Sequence, residues 1–281
     1  MKALLDADIL VYRIGFTTEE EDLEIAKYRM NELIERILAD VDATSYQLYL
    51  TASGDETAFR QFVYPEYKQN RKAPKPKHYN SLREFLIEQW DAIVVSGIEA
   101  DDALGIEQSS SDNTIICSID KDLDMIKGLH YNFVKEIIYE ITPEQATFNF
   151  YKQLLMGDRS DNVKGIEGIG EKKAERLLLS YDTEEEFFDV VRRTYDNDEE
   201  MLATGEVLWI LREPYPKGLW SCSTYGSKLV PEHNLPLELV LKTNTDGMEC
   251  TGVETLKDGF QPDGPNPLDI TDQMVKEQTL T

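Results

Sequence analysis

Short apolar runs alternate with amphipathic segments over the first half of the chain. Strands are predicted at residues 3–5, 46–51, 92–95, 114–117, 131–134 and 137–139, which are apolar runs of strand length. Residues 20–38 instead repeat apolar side chains at the spacing of one helix face. The alternation of strand and helix predicts right-handed βαβ units, and hence an α/β fold with a mostly parallel central sheet flanked by helices.

The helical pattern dominates the second half of the chain. Helices are predicted from Ser81 to Trp90, from Asp102 through Glu107, from Asp120, from Pro143, and over residues 150–156, 171–179 and 200–212. From about Pro214 onward the periodicity fades while Pro, Gly, Thr and Asn accumulate. The chain is therefore predicted to divide into an α/β domain (1–149), a helical region (150–213) and an extension (214–281).

Acidic residues follow three of the predicted strands directly. They are Asp6 and Asp8, then Glu99, Asp101 and Asp102, and then Asp120, Asp122 and Asp124. The carboxyl ends of parallel strands share one edge of a sheet, so these acids are predicted to line one crevice. For Asp101 and Asp102 a helix N-cap is the alternative interpretation.

Such a crevice needs protons or cations. Two carboxylates about 5 Å apart repel by about 3 kcal/mol at an effective dielectric constant near 20. The cluster contains no His or Cys. Oxygen ligands alone favour Mg2+ or Mn2+ over zinc, so the sequence predicts a site for a hard divalent cation.

Charge is unevenly distributed along the chain of 281 residues, whose net charge is -25. Residues 60–83 carry seven cations against a single acid: Arg60, Lys68, Arg71, Lys72, Lys75, Lys77 and Arg83. Phe59, Phe62, Tyr64 and Tyr67 are interleaved with them. Cations for phosphates and flat rings for bases predict a nucleic-acid surface, whereas an exposed basic helix anchored by its aromatic side chains is the alternative.

A glycine-rich turn precedes the helix predicted at residues 171–179. Gly165, Gly168 and Gly170 permit positive φ angles, and the following helix offers free N–H groups to a phosphate. Lys172 and Lys173 add positive charge at the same end. Such a pattern taken alone is also common in plain turns.

The cysteines indicate a reducing compartment. Cys117, Cys222 and Cys250 are odd in number and widely spaced, which predicts reduced thiols in a cytoplasmic protein. Asp6 and Asp8 interrupt the first apolar run, so no signal peptide is predicted. No stretch of the sequence is apolar and long enough to predict a membrane span.

In this order, the motifs resemble those of the 5′ nucleases. They are Asp6 in Leu-Asp-Ala-Asp, Phe-Arg followed by Tyr-Lys-x-x-Arg, Glu99-Ala-Asp-Asp, Asp120-Lys-Asp, Met156-Gly-Asp-x-x-Asp-Asn and Gly-x-x-Gly-Ile-Gly-x-Lys. This family contains bacteriophage flap endonucleases and 5′ to 3′ exonucleases and the 5′-nuclease domains of bacterial DNA polymerase I. The resemblance covers about residues 3–180.

The resemblance implies a PIN-like α/β nuclease domain (1–149) with a helical arch over about residues 60–90, and a helix-hairpin-helix (H3TH) region at 150–213. It implies hydrolysis of DNA phosphodiesters at 5′ flaps, nicks or free 5′ ends, in replication or repair. The protein would be a monomer and would interact with other replication proteins. For a bacteriophage protein, the compartment would be the host cytoplasm.

The resemblance also implies roles for individual residues. Lys68 and Arg71 would be catalytic. Two divalent metals, Mg2+ or Mn2+, would be held by Asp6, Glu99, Asp101, Asp102, Asp120, Asp122, Asp158 and Asp161. DNA would contact Arg60, Tyr67, Lys72, Gly165, Gly168, Gly170, Lys172 and Lys173, with K+ at the Gly165 to Gly170 hairpin.

One position departs from the family pattern. The family carries a further metal-site Asp six residues before the Phe-Arg pair, where this chain has Ser53. Asp55 lies two residues later and is the candidate substitute. Two alternatives therefore stay open beside the DNA nuclease: a PIN-like ribonuclease, and a branched-DNA binding protein without catalysis.

Overall fold

The computed structural model describes residues 1–53 and 59–220 and contains a six-stranded central sheet. Its strands are β1 (Lys2–Asp6), β2 (Ser45–Thr51), β3 (Ile93–Val95), β4 (Thr114–Cys117), β5 (Gly128–Asn132) and β6 (Ile137–Ile141). They lie in the order β3-β2-β1-β4-β5-β6, and only the β5–β6 pairing is antiparallel. The predicted α/β fold with a mostly parallel sheet flanked by helices is confirmed.

The helices of the described residues cover both faces of the sheet and continue beyond it. They are α1 (Ala7–Thr17), α2 (Leu23–Asp40), α3 (Arg60–Val63), α4 (Tyr79–Trp90), α5 (Ala100–Ser110), a 3-10 helix (Lys121–Met125), α6 (Pro143–Met156), α7 (Glu171–Leu178), α8 (Glu184–Thr194) and α9 (Asp198–Leu208). Two short strands, β7 (Gly157–Asp158) and β8 (Val163–Lys164), form a separate antiparallel pair. No helix in this part of the chain is both long and apolar enough to cross a membrane.

Alternation along β1 divides the core between the two faces of the sheet. Ala3 and Leu5 pack with the apolar sides of α1, α2 and α4. Leu4 points the other way and packs with Leu104 of α5 and with Ile210. All three β1 residues are fully buried, as expected for a central parallel strand covered on both faces.

A second core lies among α6, α7, α8 and α9. Phe150 and Tyr151 of α6 are fully buried, and Trp220 packs edge-on against Phe150 with ring centroids 5.2 Å apart. Gly205 of α9 lies directly against the Trp220 ring. The chain therefore still contributes to this core at Trp220, although the predicted extension began at residue 214. Asp55 and residues 221–281 lie outside the described residues.

Several helix bounds differ from the predictions. α6 begins at Pro143, where Thr142 and Gln145 form a capping box, and continues to Met156, so the predicted boundary after residue 149 falls inside a helix. α4 begins at Tyr79 and not at Ser81. α9 begins at Asp198 and ends at Leu208, ahead of the predicted end at residue 212. α1 and α8 were not predicted.

The arch segment is only partly helical. α3 is a single turn, residues 64–78 are not helical, and α4 packs Leu82 and Leu86 into the main core. Hydrogen bonds tie the non-helical part to the loop after β7: Asn70 Nδ2 donates to the Arg159 carbonyl at 3.0 Å, and Asn162 Nδ2 donates to the Glu66 carbonyl at 2.8 Å. The basic segment, which we define as residues 60–83, is therefore held against this loop.

Trp220 is expected to stabilise the second core. Trp220→Ala should lower the free energy of unfolding by about 3 to 5 kcal/mol, the scale for truncating a buried aromatic side chain. Trp220→Phe should retain most of that stability, and urea denaturation would measure both.

The resemblance to the 5′ nucleases gives a second expectation. Removal of residues 222–281 should leave the cleavage rate of a short DNA flap within a few-fold of the parent's, because no predicted site residue lies there. A folded truncation that had lost all cleavage would contradict this expectation.

Candidate active site

Carboxylate-bearing segments meet at one edge of the central sheet. Asp6 is the last residue of β1, Glu99 caps α5 after β3, and Asp120 caps the 3-10 helix after β4. Asp101 and Asp122 follow in the first turns of those helices. Because β1, β3 and β4 run in the same direction, these residues occupy the carboxyl ends of the strands. We call this region the carboxylate edge.

Asp6 lies at the centre of the carboxylate edge and is 2% exposed. Its Oδ1 accepts a hydrogen bond from the Ile9 N–H at 3.1 Å, which caps α1, and its Oδ2 accepts one from the Ser118 hydroxyl at 2.9 Å. Burial, together with repulsion from Asp8 and Asp120, raises the pKa of Asp6 to about 7.

The pKa values of three neighbouring acids are raised as well. Burial and repulsion from Asp6 and Asp120 raise the pKa of Asp101. Burial raises the pKa of Asp120, although the Asp122 N–H donates to Asp120 Oδ1 at 2.9 Å. Burial and repulsion from Asp120 and Asp158 raise the pKa of Asp122 to about 7. Four of these acids form no ion pair with a Lys, Arg or His of the described residues: Asp6, Asp101, Asp120 and Asp122. We call these four residues the uncompensated set.

Asp158 behaves as the ionised partner of Asp122. Its Oδ1 accepts from the Ser160 N–H and hydroxyl, both at 2.7 Å. Burial opposes ionisation, but these hydrogen bonds and one from Asp122 lower the pKa of Asp158. The two carboxyl groups therefore titrate together, with the pKa of Asp122 raised and that of Asp158 lowered.

Glu99 is neutralised by cations of the basic segment. Lys68 Nζ lies 2.5 Å from Glu99 Oε1, Arg60 Nη1 lies 3.6 Å from Glu99 Oε2, and the Tyr67 hydroxyl donates to Oε2 at 2.8 Å. Burial alone would raise the pKa of Glu99. The charges of Lys68 and Arg60 outweigh that effect and lower it to about 2.

Asp161 positions the two predicted catalytic cations. Arg71 forms an ion pair with Asp161 Oδ1, and Lys68 Nζ lies 3.7 Å from Asp161 Oδ2. The Lys68 N–H also donates to the Asp161 carbonyl at 2.8 Å. The backbone of Lys68 is left-handed, with φ of 58°, a conformation that costs a non-glycine residue about 1 kcal/mol or more. The loop after β7 therefore holds Lys68 and Arg71 beside the carboxylate edge.

Arg60 and Asp102 form a buried pair beneath the carboxylate edge. Asp102 is fully buried, and Arg60 donates to both of its oxygens, at 2.5 and 2.7 Å. The N–H groups of Leu211 and Glu99 donate to the same carboxylate, each at 3.0 Å. Arg60 also donates to the carbonyl of Val207 at 2.9 Å. Four donors thus engage Asp102, which differs from the predicted role of a metal ligand. Asp102 is not the N-cap of α5 either, because Glu99 holds that position and Asp102 is the third residue of the capping box.

Two predicted DNA contacts need correction. Arg60 is 2% exposed and Tyr67 is 5% exposed, so neither side chain lies on a surface that DNA could reach. Both instead donate hydrogen bonds to acids of the site. Lys72 is exposed. Ser53 is exposed as well, next to the residues outside the described range that contain Asp55.

The glycine hairpin presents an open backbone. Gly168 has a φ of 73°, and neither Gly168 nor Gly170 has a neighbouring atom within 4 Å of the position a Cβ would take. Lys172 and Lys173 are exposed in the first turn of α7. Gly165 is different, because a Cβ there would collide with the Met156 carbonyl group. It allows the hairpin to pack against the end of α6, whereas Gly168 and Gly170 leave room for a ligand.

Sequence reasoning missed the role of Arg83. Its Nη1 donates to Asp8 Oδ1 at 2.9 Å, and its Nη2 donates to the Thr51 carbonyl at 2.6 Å. Asp8 in turn accepts from the Thr51 N–H at 3.0 Å. Arg83 therefore joins α4, α1 and the end of β2 at the carboxylate edge. Its position in the basic segment was the available signal.

The uncompensated set fits a divalent cation in two respects. Its donors are all carboxylate oxygens, which are hard ligands. The raised pKa values show that these groups resist ionisation together, and a bound cation would relieve that resistance. Over residues 1–53 and 59–220, no three His, Cys, Asp or Glu side chains are arranged as a complete ligand set for one ion.

Comparison with known proteins assigns the family. Residues 2–149 match the model of the 5′-3′ exonuclease, N-terminal resolvase-like domain. The chain is 31% identical to a 5′-3′ exonuclease of Buchnera aphidicola over 225 residues, which cover 70% of this chain and 74% of the relative. The chain belongs to the 5′-3′ exonuclease family. It is also 30% identical to DNA polymerase I of Bacillus caldotenax over 212 residues, 65% of this chain but 24% of that polymerase.

Solved structures support the fold of this 5′-3′ exonuclease family member. A bacteriophage T5 protein co-crystallised with metal ions matches with a TM-score of 0.57 at 17% identity, covering 74% of this chain and 88% of that one. The bacteriophage T5 flap endonuclease in a pseudo-enzyme-product complex with DNA and metal ions gives a TM-score of 0.53 at 18% identity, over 74% of this chain and 85% of that one. The predicted resemblance to the 5′ nucleases is confirmed.

Removing Arg60 should destabilise the protein strongly. Arg60→Met leaves the buried Asp102 carboxylate without its cation, so the free energy of unfolding should fall by about 3 to 5 kcal/mol in urea denaturation. Arg36 is the matched control, since it is half exposed and lies 4.0 Å from Glu136. Arg36→Met should cost about 1 kcal/mol or less. Equal effects of the two substitutions would contradict a structural role for the Arg60–Asp102 pair.

The uncompensated set predicts a pH dependence of stability in chelator. The pKa values of Asp6 and Asp122 are about 7 in the folded protein, against about 3.9 for Asp in an unfolded chain. Groups with raised pKa values favour folding at low pH, so their contribution is full below about pH 4 and is lost as the pH rises to about 7. The melting temperature should fall across this window.

Mg2+ or Mn2+ should reverse that fall, because a ligand that binds only the folded state stabilises it. Asp120→Asn should weaken both the pH dependence and the metal response, since Asp120 repels Asp6 and Asp101. Asp112→Asn, at an exposed position before β4, is the control and should change neither. A melting temperature that changes neither with pH nor with added metal would contradict the clustered-carboxylate interpretation.

Proposed function

We propose that this chain is a structure-specific 5′ nuclease, a flap endonuclease and 5′ to 3′ exonuclease that hydrolyses DNA phosphodiesters in replication or repair. The observation that carries the proposal is the juxtaposition of the uncompensated set with Lys68 and Arg71. A polyanionic substrate needs cations, and phosphodiester hydrolysis needs groups that bind metal beside them. Family membership and the metal- and DNA-containing bacteriophage T5 structures support it.

Two divalent metals, Mg2+ or Mn2+, are proposed to be held by Asp6, Asp101, Asp120 and Asp122 with Glu99, Asp158 and Asp161. When bound, they would supply an activated water and relieve charge on the leaving oxygen. Asp102 would not bind metal itself, because its oxygens are engaged by Arg60 and backbone N–H groups. It would instead hold Arg60 beneath the carboxylate edge. Asp55 is proposed to contribute a carboxylate in place of the family acid expected at Ser53.

Lys68 and Arg71 are proposed to bind the scissile phosphate. In the structure their charges are directed at Glu99 and Asp161. With Glu99 and Asp161 engaged as metal ligands, the Lys68 ammonium and the Arg71 guanidinium would be able to donate hydrogen bonds to phosphate oxygens. Lys68 would then stabilise the negative charge that develops in the transition state.

The helical region after α6 is proposed to bind duplex DNA as a helix-hairpin-helix element. The open backbone at Gly168 and Gly170 can approach a phosphate, and Lys172 and Lys173 stand at the N-terminus of α7. K+ at this hairpin, a monomeric state and a cytoplasmic location are further parts of the proposal. Lys72 is retained as an exposed DNA contact.

Cleavage assays test the function directly. DNA labelled at the 5′ end, in flap, nicked and single-stranded forms, should be cut with Mg2+ and left intact with chelator. A matched flap whose 5′ strand is RNA distinguishes a ribonuclease. Binding of flap DNA in Ca2+ without cleavage in Mg2+ or Mn2+ would favour a branched-DNA binding protein and contradict the proposal.

Lys68 and the hairpin lysines should affect different steps. Lys68→Ala should raise the barrier for single-turnover cleavage by about 2.7 to 4 kcal/mol, the scale for one preorganised electrostatic contact, while DNA affinity in Ca2+ changes little. The double substitution of Lys172 and Lys173 by Ala should weaken binding and flatten its salt dependence, because each removed phosphate contact lowers the salt slope by about one. Turnover at saturating DNA should be largely kept.

Rapid-quench kinetics and salt-dependent binding measure the two effects. Normal turnover of Lys68→Ala at saturating DNA would contradict the proposed role of Lys68. Unchanged duplex affinity of the hairpin double variant would contradict the proposed role of the hairpin.

A further inference from the structure

Thr51 ends β2 at the carboxylate edge, and each of its polar groups contacts a different helix. Its N–H donates to Asp8 Oδ2 in α1 at 3.0 Å. Its carbonyl accepts from Arg83 Nη2 in α4 at 2.6 Å. Its hydroxyl oxygen accepts from the N–H of Ala100, the first residue of α5, at 3.0 Å. Thr51 therefore connects β2 to three helices at one point.

The Thr51 hydroxyl caps α5 from outside that helix. The first N–H groups of an α-helix have no partner within the helix, so each needs an acceptor from elsewhere. Ala100 is 2% exposed, and a buried N–H that lost its acceptor would be costly. The hydroxyl therefore sets the position at which α5 begins relative to β2.

The start of α5 carries two of the proposed metal ligands. Glu99 and Asp101 are the chain neighbours of Ala100 on either side. Lys68 and Tyr67 also hold the Glu99 side chain. Asp101 belongs to the uncompensated set, so its placement depends on the backbone that carries it. A displacement of the Ala100 N–H would therefore move both carboxylates.

Thr51 is itself held by a closed ring of hydrogen bonds. Arg83 Nη1 donates to Asp8 Oδ1 at 2.9 Å, while its Nη2 and the Asp8 Oδ2 engage the carbonyl and the N–H of Thr51. The Arg83 side chain is only 8% exposed. A guanidinium presents its donors in a rigid planar fork, so such a ring is geometrically specific. It leaves the Thr51 backbone little freedom.

We propose that Thr51 is a positioning residue of the nuclease, which, held by Asp8 and Arg83, places the start of α5 so that Glu99 and Asp101 join the carboxylate edge. This inference rests on the proposed function, because only that proposal makes Glu99 and Asp101 metal ligands. Groups that orient ligands without touching the metal change metal affinity by about 10- to 100-fold when they are removed.

Two substitutions of Thr51 separate its hydroxyl from its shape. Thr51→Val removes the hydroxyl and keeps the branched side chain, whereas Thr51→Ser keeps the hydroxyl. Binding of Mn2+ to the full chain without DNA is measured by isothermal titration calorimetry. It should weaken about tenfold for Thr51→Val and stay close to that of the parent for Thr51→Ser.

Thr183→Val is the matched control. The Thr183 hydroxyl caps α8 by accepting from the Glu186 N–H at 3.3 Å, and α8 belongs to the second core. Losing this cap should lower the melting temperature in chelator, as Thr51→Val should, but Mn2+ binding should equal that of the parent.

Arg83→Lys tests the same ring from its other side. An ammonium keeps the positive charge beside Asp8 but lacks the fork that reaches Asp8 and Thr51 together, so Mn2+ binding should again weaken. Cleavage of a 5′ flap over a range of Mg2+ concentrations is measured in parallel, and melting temperatures in chelator show which variants are folded.

Parent-like Mn2+ binding by Thr51→Val would overturn the inference, even where the parent cleaves the flap and the proposed function stands. Equal losses in Thr51→Val and Thr51→Ser would overturn it as well. If Thr51→Val did not fold, parent-like binding by Arg83→Lys would have the same consequence. Weaker binding by Thr51→Val that Thr51→Ser restores supports the inference, even where the parent leaves every flap uncut and the proposed function fails.

Discussion

Repulsion among carboxylates at one edge of a parallel sheet is the constraint on which the rest of this structure depends. Parallel strands bring their carboxyl ends together, and here three of those ends carry acids. Some acids at or near this edge are neutralised by side chains of the protein: Glu99 by Lys68, Asp102 by Arg60, Asp161 by Arg71 and Asp8 by Arg83. The uncompensated set has no such partners, so burial and mutual repulsion raise its pKa values. It is therefore the part of the carboxylate edge suited to a bound cation.

The Arg60–Asp102 pair also joins the two cores. Arg60 belongs to α3 and Asp102 to α5, yet Arg60 donates to carbonyl groups of Val207 and Trp209 at the end of α9. The same carboxylate accepts from the Leu211 N–H. The position of Glu99, which starts α5, is therefore set partly by the helical region that packs around Phe150. The Arg60–Asp102 pair and its backbone partners therefore connect the second core to the carboxylate edge.

Local patterns predicted the strands and the crevice well because both depend on short-range order. An acid directly after an apolar strand must lie at the carboxyl end of that strand, so the grouping of Asp6, Asp101 and Asp120 followed from topology alone. The sequence could not predict which cations are buried. Arg60 and Tyr67 lie in a basic, aromatic segment of the kind that favours a surface, but their partners are 42 and 32 residues away. Burial of this sort is decided by tertiary packing.

The strongly acidic character of the chain bears on how it could bind a polyanion. With a net charge of -25, long-range attraction to DNA is unfavourable, and the cations nearest the carboxylate edge are directed at acids. On the proposed function, Asp6, Asp101, Asp120 and Asp122 would hold cations that supply positive charge at this edge, and Lys68 and Arg71 would donate to phosphate oxygens in place of Glu99 and Asp161. The carboxylate edge would then attract phosphate, whereas its carboxylates alone repel it. The hairpin differs, because Lys172 and Lys173 are exposed and need no bound cation to present positive charge. The chain's own cations would therefore be enough for contact at the hairpin, but not at the carboxylate edge.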